Sequence, residues 1–229
     1  MTAQQIPLPL VPRSAQGRAD FLVSPANAEA MALIDRWPAW PGGTLLVVGP
    51  PGSGKSHLAE VWRGVSQAAL VLPEALSAER VPPLLGAGAL VLDRADEIRD
   101  EAALFHLLNF ANTGEVSLLL LARTSPEGWP LIRADLRARL KGLARVGLAL
   151  PDEQLLEQLL IKHLSERQIV SFAPELLSYI TARLERSYDA ASRLVALLDR
   201  ESLARRRPVT QAMVREILAN PEISGKMES

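Results

Sequence analysis

The chain has 229 residues, 48% of them hydrophobic and 22% charged, enough to bury a core without disulfide or metal staples. It contains no cysteine, which excludes disulfide frameworks, thiolate metal centres and cysteine nucleophiles. A formal net charge of −1 leaves no overall basic footprint for strong direct DNA binding, and the longest apolar run, Val116 to Ala122, falls far short of the roughly 18 residues of a membrane span.

No basic stretch followed by an apolar one opens the chain, so a cytoplasmic protein is expected. It begins instead with Gln4-Gln5-Ile6-Pro7-Leu8-Pro9-Leu10. Pro7 and Pro9 forbid helix and disfavour a central strand, which leaves an extended segment whose apolar side chains have no local partner. Pro12 to Gly17 reads as linker, and residues 1–19 form a flexible arm.

From residue 44 to residue 150 short apolar runs alternate with helical patterns. The runs are 44–48, 69–72, 89–93, 116–122 and 146–150. Strands apolar on both faces, separated by helical spacers, predict βαβ units, and so an α/β domain over 20–150 with a five-stranded parallel sheet flanked by helices. After Leu150 the strands stop. Pro151-Asp152-Glu153 places proline and acids at a helix start, Pro174-Glu175 starts a second helix, and a third carries Leu194, Leu197 and Leu198. Thr210 reads as the N-cap of a fourth, with Val209 and Val214 spaced for a hydrophobic staple. Residues 151–229 thus form a small all-helical domain, and Arg205-Arg206-Arg207 reads as a solvated helix end. His57, His106 and His163 are too scattered to suggest a metal centre.

Gly49 to Ser56, GPPGSGKS, matches the phosphate-loop pattern between a predicted strand and a predicted helix. Glycines there let backbone N–H groups converge on phosphate oxygens at a helix N-terminus. Lys55 adds a point charge, and Ser56 offers a hydroxyl to Mg²⁺. The candidate nucleotide contacts are Gly49, Pro50, Gly52, Ser53, Gly54, Lys55, Ser56 and His57. Asp93, closing the apolar run 89–93, is the second expected Mg²⁺ ligand, because strand ends in such sheets lie beside the phosphate loop.

Several further segments carry a family likeness: DFLVSPANAEA from Asp20, LVLDRADEI from Leu90, and DLRARLKGLARVGLALPDEQLLEQL from Asp135. In order and spacing they resemble the AAA+ core of the DnaA replication initiators, a P-loop NTPase fold with a helical lid. The likeness is greatest to the short regulatory homologues of the Hda group, spans residues 20 to 219, and leaves no room for a helix-turn-helix domain. Gln5, Ile6, Leu8, Pro9 and Leu10 resemble the peptide with which that group grips the DNA sliding clamp.

The resemblance implies ADP or ATP with Mg²⁺ as ligands. It implies the sliding clamp and DnaA as partners, and a homodimer or higher homo-oligomer. Arg139 matches the arginine finger that reaches ATP on a neighbouring subunit, and Arg193, or Ser192 beside it, falls at the sensor-2 position of the lid. Leu22 and Val23 fall in the linker that packs on adenine. The implied role is to stimulate hydrolysis of DnaA-bound ATP; a stand-alone AAA+ loader of helicases or DNA complexes is the alternative. Two departures bear on intrinsic activity. Arg94 stands where the family has a water-orienting acid, with Asp96 and Glu97 displaced to later positions, and Arg123 stands at sensor 1. A cation cannot accept a proton from water, so tight binding with poor hydrolysis is expected.

Overall fold

A computed structural model of the chain describes residues 21–169 and 174–219. The arm, with Gln5, Ile6, Leu8, Pro9 and Leu10, lies outside those residues. Strands β1 (Thr44–Val48), β2 (Ala69–Val71), β3 (Ala89–Leu92), β4 (Ser117–Ala122) and β5 (Ala144–Gly147) form one parallel sheet in the order β2-β3-β4-β1-β5. Thr44 lies opposite Leu118 and Val48 opposite Ala122, so β1 and β4 end level with each other. The chain crosses over on both sides of β1, which makes the C-terminal end of β1 the switch point where such sheets bind ligands.

Strand periodicity divides the core into two layers. Leu46, Leu90, Leu92, Leu118 and Leu120 face α3 (Val81–Leu85), α4 (Glu101–Asn112) and α5 (Ala134–Lys141), meeting Leu104, Leu107, Leu108, Leu136 and Leu140. Their neighbours Leu45, Val47, Val91, Leu119 and Leu121 face α1 (Ala28–Asp35) and α2 (Lys55–Ser66). Trp62 pins the far half of α2 beneath Trp37 and Trp40, at ring distances of 6.0 and 5.0 Å, so the helix that starts at the phosphate loop is anchored along its length.

Beyond the sheet, α6 (Glu153–Glu166), α7 (Pro174–Thr181), α8 (Tyr188–Arg205) and α9 (Gln211–Leu218) enclose a third core that includes Leu156, Leu160, Ile180, Leu194, Leu198 and Val214. Three of these helices begin on a side-chain cap: Asp152 accepts from Leu155 N at 2.7 Å, Ser187 from Ala190 N at 3.0 Å, and Thr210 from Met213 N at 3.3 Å. Val209 packs into the same cluster as Val214, as a staple requires. Arg205 ends α8 exposed and forks onto Glu216 of α9 with two bonds of 2.8 Å. No helix among the described residues is long and apolar enough to cross a membrane.

Strands β2, β3 and β4 each come out one residue shorter than the expected run, and two boundaries differ by more. The fifth strand is Ala144–Gly147, not 146–150. It is an edge strand, with Arg145 and Gly147 exposed and Val146 buried, so its register follows pairing with β1 and not a two-faced apolar run. Pro151 precedes the cap residue Asp152 instead of opening α6. The acid takes the cap because its side chain can accept the orphan N–H that proline cannot serve.

The layered core sets a contrast that urea denaturation can measure. Leu119→Ala, at the fully buried centre of β4, is expected to cost about 2–5 kcal/mol. Leu70→Ala, 47% exposed on edge strand β2, should cost no more than about 0.5 kcal/mol.

Candidate functional site

β1 delivers the chain to the switch point, and the loop from Gly49 returns it into α2. Gly49 N donates to Ala122 O at 3.1 Å, fixing the loop to the end of β4, and Ser53 N closes a turn onto Pro50 O at 3.2 Å. Gly52 and Gly54 take φ of +74° and +92°, a region that side chains avoid. Space forbids side chains as well: a Cβ would lie 2.4 Å from Ser187 Cβ at Gly52 and 2.9 Å from the Tyr188 ring at Gly54. The backbone is thereby bare where the first-turn N–H groups of α2 project. Ser53 Oγ is buried there without a hydrogen-bond partner among the described residues.

Lys55 Nζ folds over this loop, donating to Gly49 O at 2.6 Å and Pro50 O at 2.8 Å. Burial lowers its pKa, while the carboxylates of Asp93, Asp96 and Asp189 act in the opposite direction. The ammonium therefore sits partly desolvated among acids, on acceptors that an anionic ligand can replace. Ser56 is exposed at the first turn of α2, and Asp93 follows β3 with one oxygen accepting from Arg94 N at 2.8 Å. A hydroxyl and a carboxylate are hard oxygen donors of the kind that would suit Mg²⁺.

The chain turns sharply after Asp93. Arg94 adopts φ of +51°, and Glu97 N closes the turn onto Arg94 O at 2.8 Å. The Arg94 guanidinium is bonded to Glu74 at 2.9 and 3.2 Å and to Glu97 at 3.0 Å. Arg123, the sensor-1 candidate, pairs with Glu97 at 3.3 Å, and its backbone N donates to Asp96 Oδ2 at 3.2 Å.

The lid meets the loop directly. Tyr188 N donates to Gly52 O at 3.0 Å. The Tyr188 ring stacks on His57 at 6.4 Å, and His57 on Phe21 at 5.2 Å. Asn27 ties the three parts together, donating to Tyr188 Oη and to Leu22 O at 2.9 Å each. Leu22 packs into the lid core, whereas Val23 is 49% exposed. Burial raises the pKa of Tyr188, which keeps the phenol neutral and able to donate. Sequence reasoning missed Phe21, Asn27, Ser187 and Tyr188. A serine before Tyr188-Asp189 is a usable N-cap signal for the start of α8, but nothing local marks its contact with Gly52.

Not every candidate converges there. Arg193 lies one turn along α8 from Asp189, half-exposed, 3.7 Å from Glu185. Arg139 belongs to a separate cluster on the α4–α5 face. It donates to Leu108 O at 2.9 Å and to Asn109 Oδ1, and it lies over the Phe105 ring at 5.6 Å, with Arg133 over the same ring at 4.6 Å.

No protein-family model and no curated protein matches the sequence. Solved structures do match. Domain III of the replication initiation protein DnaA from Thermotoga maritima superposes with a TM-score of 0.73 at 15% identity, covering 91% of this chain and 97% of that one. The RuvB Holliday junction branch migration motor of Thermotoga maritima gives 0.69 at 16%, covering 89% and 71%. AMPPCP-bound DnaA from Aquifex aeolicus gives 0.64 at 17%, covering 81% and 66%. At such identities the likeness is one of fold: a five-stranded parallel sheet, flanking helices and a helical C-terminal region, the AAA+ architecture of DnaA and RuvB.

Proposed function

We propose that this chain is a nucleotide-binding AAA+ regulator of replication initiation, of the Hda kind. It binds ADP or ATP with Mg²⁺, docks on the DNA sliding clamp through Gln5 to Leu10, and presents Arg139 to ATP held by DnaA. The observation that carries the reading is the bare loop Gly49–Gly54 between β1 and α2, covered by Lys55 and the lid. It belongs to a fold whose likeness to DnaA domain III spans nearly the whole of that domain. Two DnaA neighbours are described as bound to AMPPCP, which supports adenine nucleotide as the ligand class.

On this reading each residue has a physical task. Gly49, Pro50, Gly52, Ser53 and Gly54 shape the backbone cradle, Lys55 exchanges two carbonyl acceptors for phosphate oxygens, and Ser56 and Asp93 hold Mg²⁺, which neutralises phosphate charge. His57, Leu22 and Val23 line the base side, and Arg193 approaches from the lid. A guanidinium delivered in trans is worth about 10³–10⁵ in rate in other phosphoryl-transfer systems, so the chain can regulate DnaA without fast turnover of its own. In the arm, burying Ile6, Leu8 and Leu10 contributes about 5–8 kcal/mol gross at roughly 1.5–3 per side chain. Ordering costs offset much of that; Pro7 and Pro9 reduce them by pre-extending the peptide, and a homodimer on a ring-shaped clamp adds avidity.

A second reading, a stand-alone loader ATPase, draws on the engagement of Arg139 by its own α4. A reconstituted assay of DnaA-bound ATP hydrolysis with DNA-loaded clamp separates the two. Arg139→Ala is expected to abolish the stimulation while leaving the chain's own nucleotide affinity unchanged; undiminished stimulation refutes the trans role. Lys55→Ala should weaken binding of a fluescent-labelled adenine nucleotide at least about tenfold, as loss of a charged hydrogen bond of about 1.5–3 kcal/mol requires. Leu8→Ala combined with Leu10→Ala should remove clamp binding in surface plasmon resonance and spare nucleotide affinity.

A further inference from the structure

The acid that the family places directly after the magnesium aspartate is absent here, since Arg94 stands in its position. The turn built on Arg94 nevertheless returns a different carboxylate to the strand ends. Asp96 is half-buried, with Oδ2 bound to Arg123 N at 3.2 Å. Its Oδ1 is buried with no hydrogen-bond partner among the described residues. A buried carboxylate oxygen left unpaired is costly and marks a position held for something else.

The position of that oxygen relative to the phosphate loop follows from one peptide unit. The Ala122–Arg123 peptide gives its carbonyl to Gly49 N at 3.1 Å and its N–H to Asp96 at 3.2 Å. Asp96 is thus one peptide plane away from the first residue of the loop. Both neighbouring cations are paired with Glu97, whose Oε2 binds Arg94 at 3.0 Å and whose Oε1 binds Arg123 at 3.3 Å. Glu74 holds Arg94 from the other side. The unpaired oxygen belongs to a carboxylate close enough to the loop to act electrostatically on Lys55.

We infer that Asp96 is the catalytic base of a slow intrinsic nucleoside-triphosphate hydrolysis, taking the place of the acid that Arg94 displaces, with Glu97 as the residue that keeps both arginines clear of it. This rests on the nucleotide-binding reading of the loop. In the step, a water oxygen bonds to the γ-phosphorus while the bond from that phosphorus to the β,γ-bridging oxygen breaks. The electron pair leaves with the nucleoside diphosphate. One water proton passes to Asp96 Oδ1 and from there to solvent, which restores the carboxylate. A positioned base is worth about 10²–10⁴ in rate.

The test measures triphosphate affinity with a fluorescent ATP analogue and, on the same samples, single-turnover hydrolysis of ATP without clamp or DnaA. Asp96→Asn should bind within about threefold of the wild type and hydrolyse at least tenfold more slowly. Glu97→Gln, which discharges the carboxylate paired with Arg123 and leaves Arg94 to Glu74 alone, should bind equally well and hydrolyse at least threefold more slowly, and retained binding shows each variant folded. Wild-type turnover in either binding-competent variant overturns the assignment, as does a wild type that binds ATP and never hydrolyses it. A wild type with no saturable binding removes the nucleotide reading itself, and the inference with it.

Discussion

The peptide unit between Ala122 and Arg123 is the hinge pin of the site. It closes β4, the strand between β3 and β1, and its two polar ends point to opposite neighbours: Gly49 on one side and Asp96 on the other. A planar trans peptide has no internal freedom to adjust, so the start of the phosphate loop and the turn after Asp93 are set at a fixed offset. The buried strands supply the stiffness. Leu118 to Ala122 are essentially inaccessible on both faces, and burying each leucine contributes about 1.5–3 kcal/mol, which holds the peptide in place against local strain.

A second constraint acts from the lid. Because Ser187 and Tyr188 press on Gly52 and Gly54, the loop and the first turn of α8 cannot move independently. The Phe21–His57–Tyr188 stack and the Asn27 hydrogen bonds extend this coupling to the linker before α1. Any ligand that draws Lys55 away from Gly49 O and Pro50 O must act on a loop that the lid also grips. The same lid carries Arg193 on α8.

The legible parts of the sequence were those in which chemistry and period coincide. Strands β1, β3 and β4 declare themselves because both faces are apolar, and the phosphate loop because glycine, lysine and serine fall between a strand and a helix. Strand β5 was misplaced because an edge strand is defined by a single partner, and the apolar residues after it, Leu148 and Leu150, belong to the approach to the lid. The contact of Asn27 with Tyr188 spans 161 positions, and no local pattern encodes it. Arg94 illustrates a different gap: the sequence shows a cation directly after Asp93, but not that its backbone takes φ of +51° or that two glutamates hold its guanidinium.

Arg139 poses the sharpest question for the proposed trans role, since a guanidinium offered to another subunit's nucleotide must be available and also held. Its partners among the described residues are neutral: the Leu108 carbonyl, the Asn109 amide and the face of Phe105. Neutral acceptors orient a guanidinium without discharging it, and an anionic acceptor adds a Coulomb attraction that they lack. A phosphate arriving at this face therefore competes favourably with Leu108 and Asn109 for the same N–H groups, and the fork has five donors to share between them. Pairing with a carboxylate would have closed that route. The α4–α5 face thus holds Arg139 in a defined place at low cost of release, and Arg133 on the same ring adds positive charge that favours an anion there.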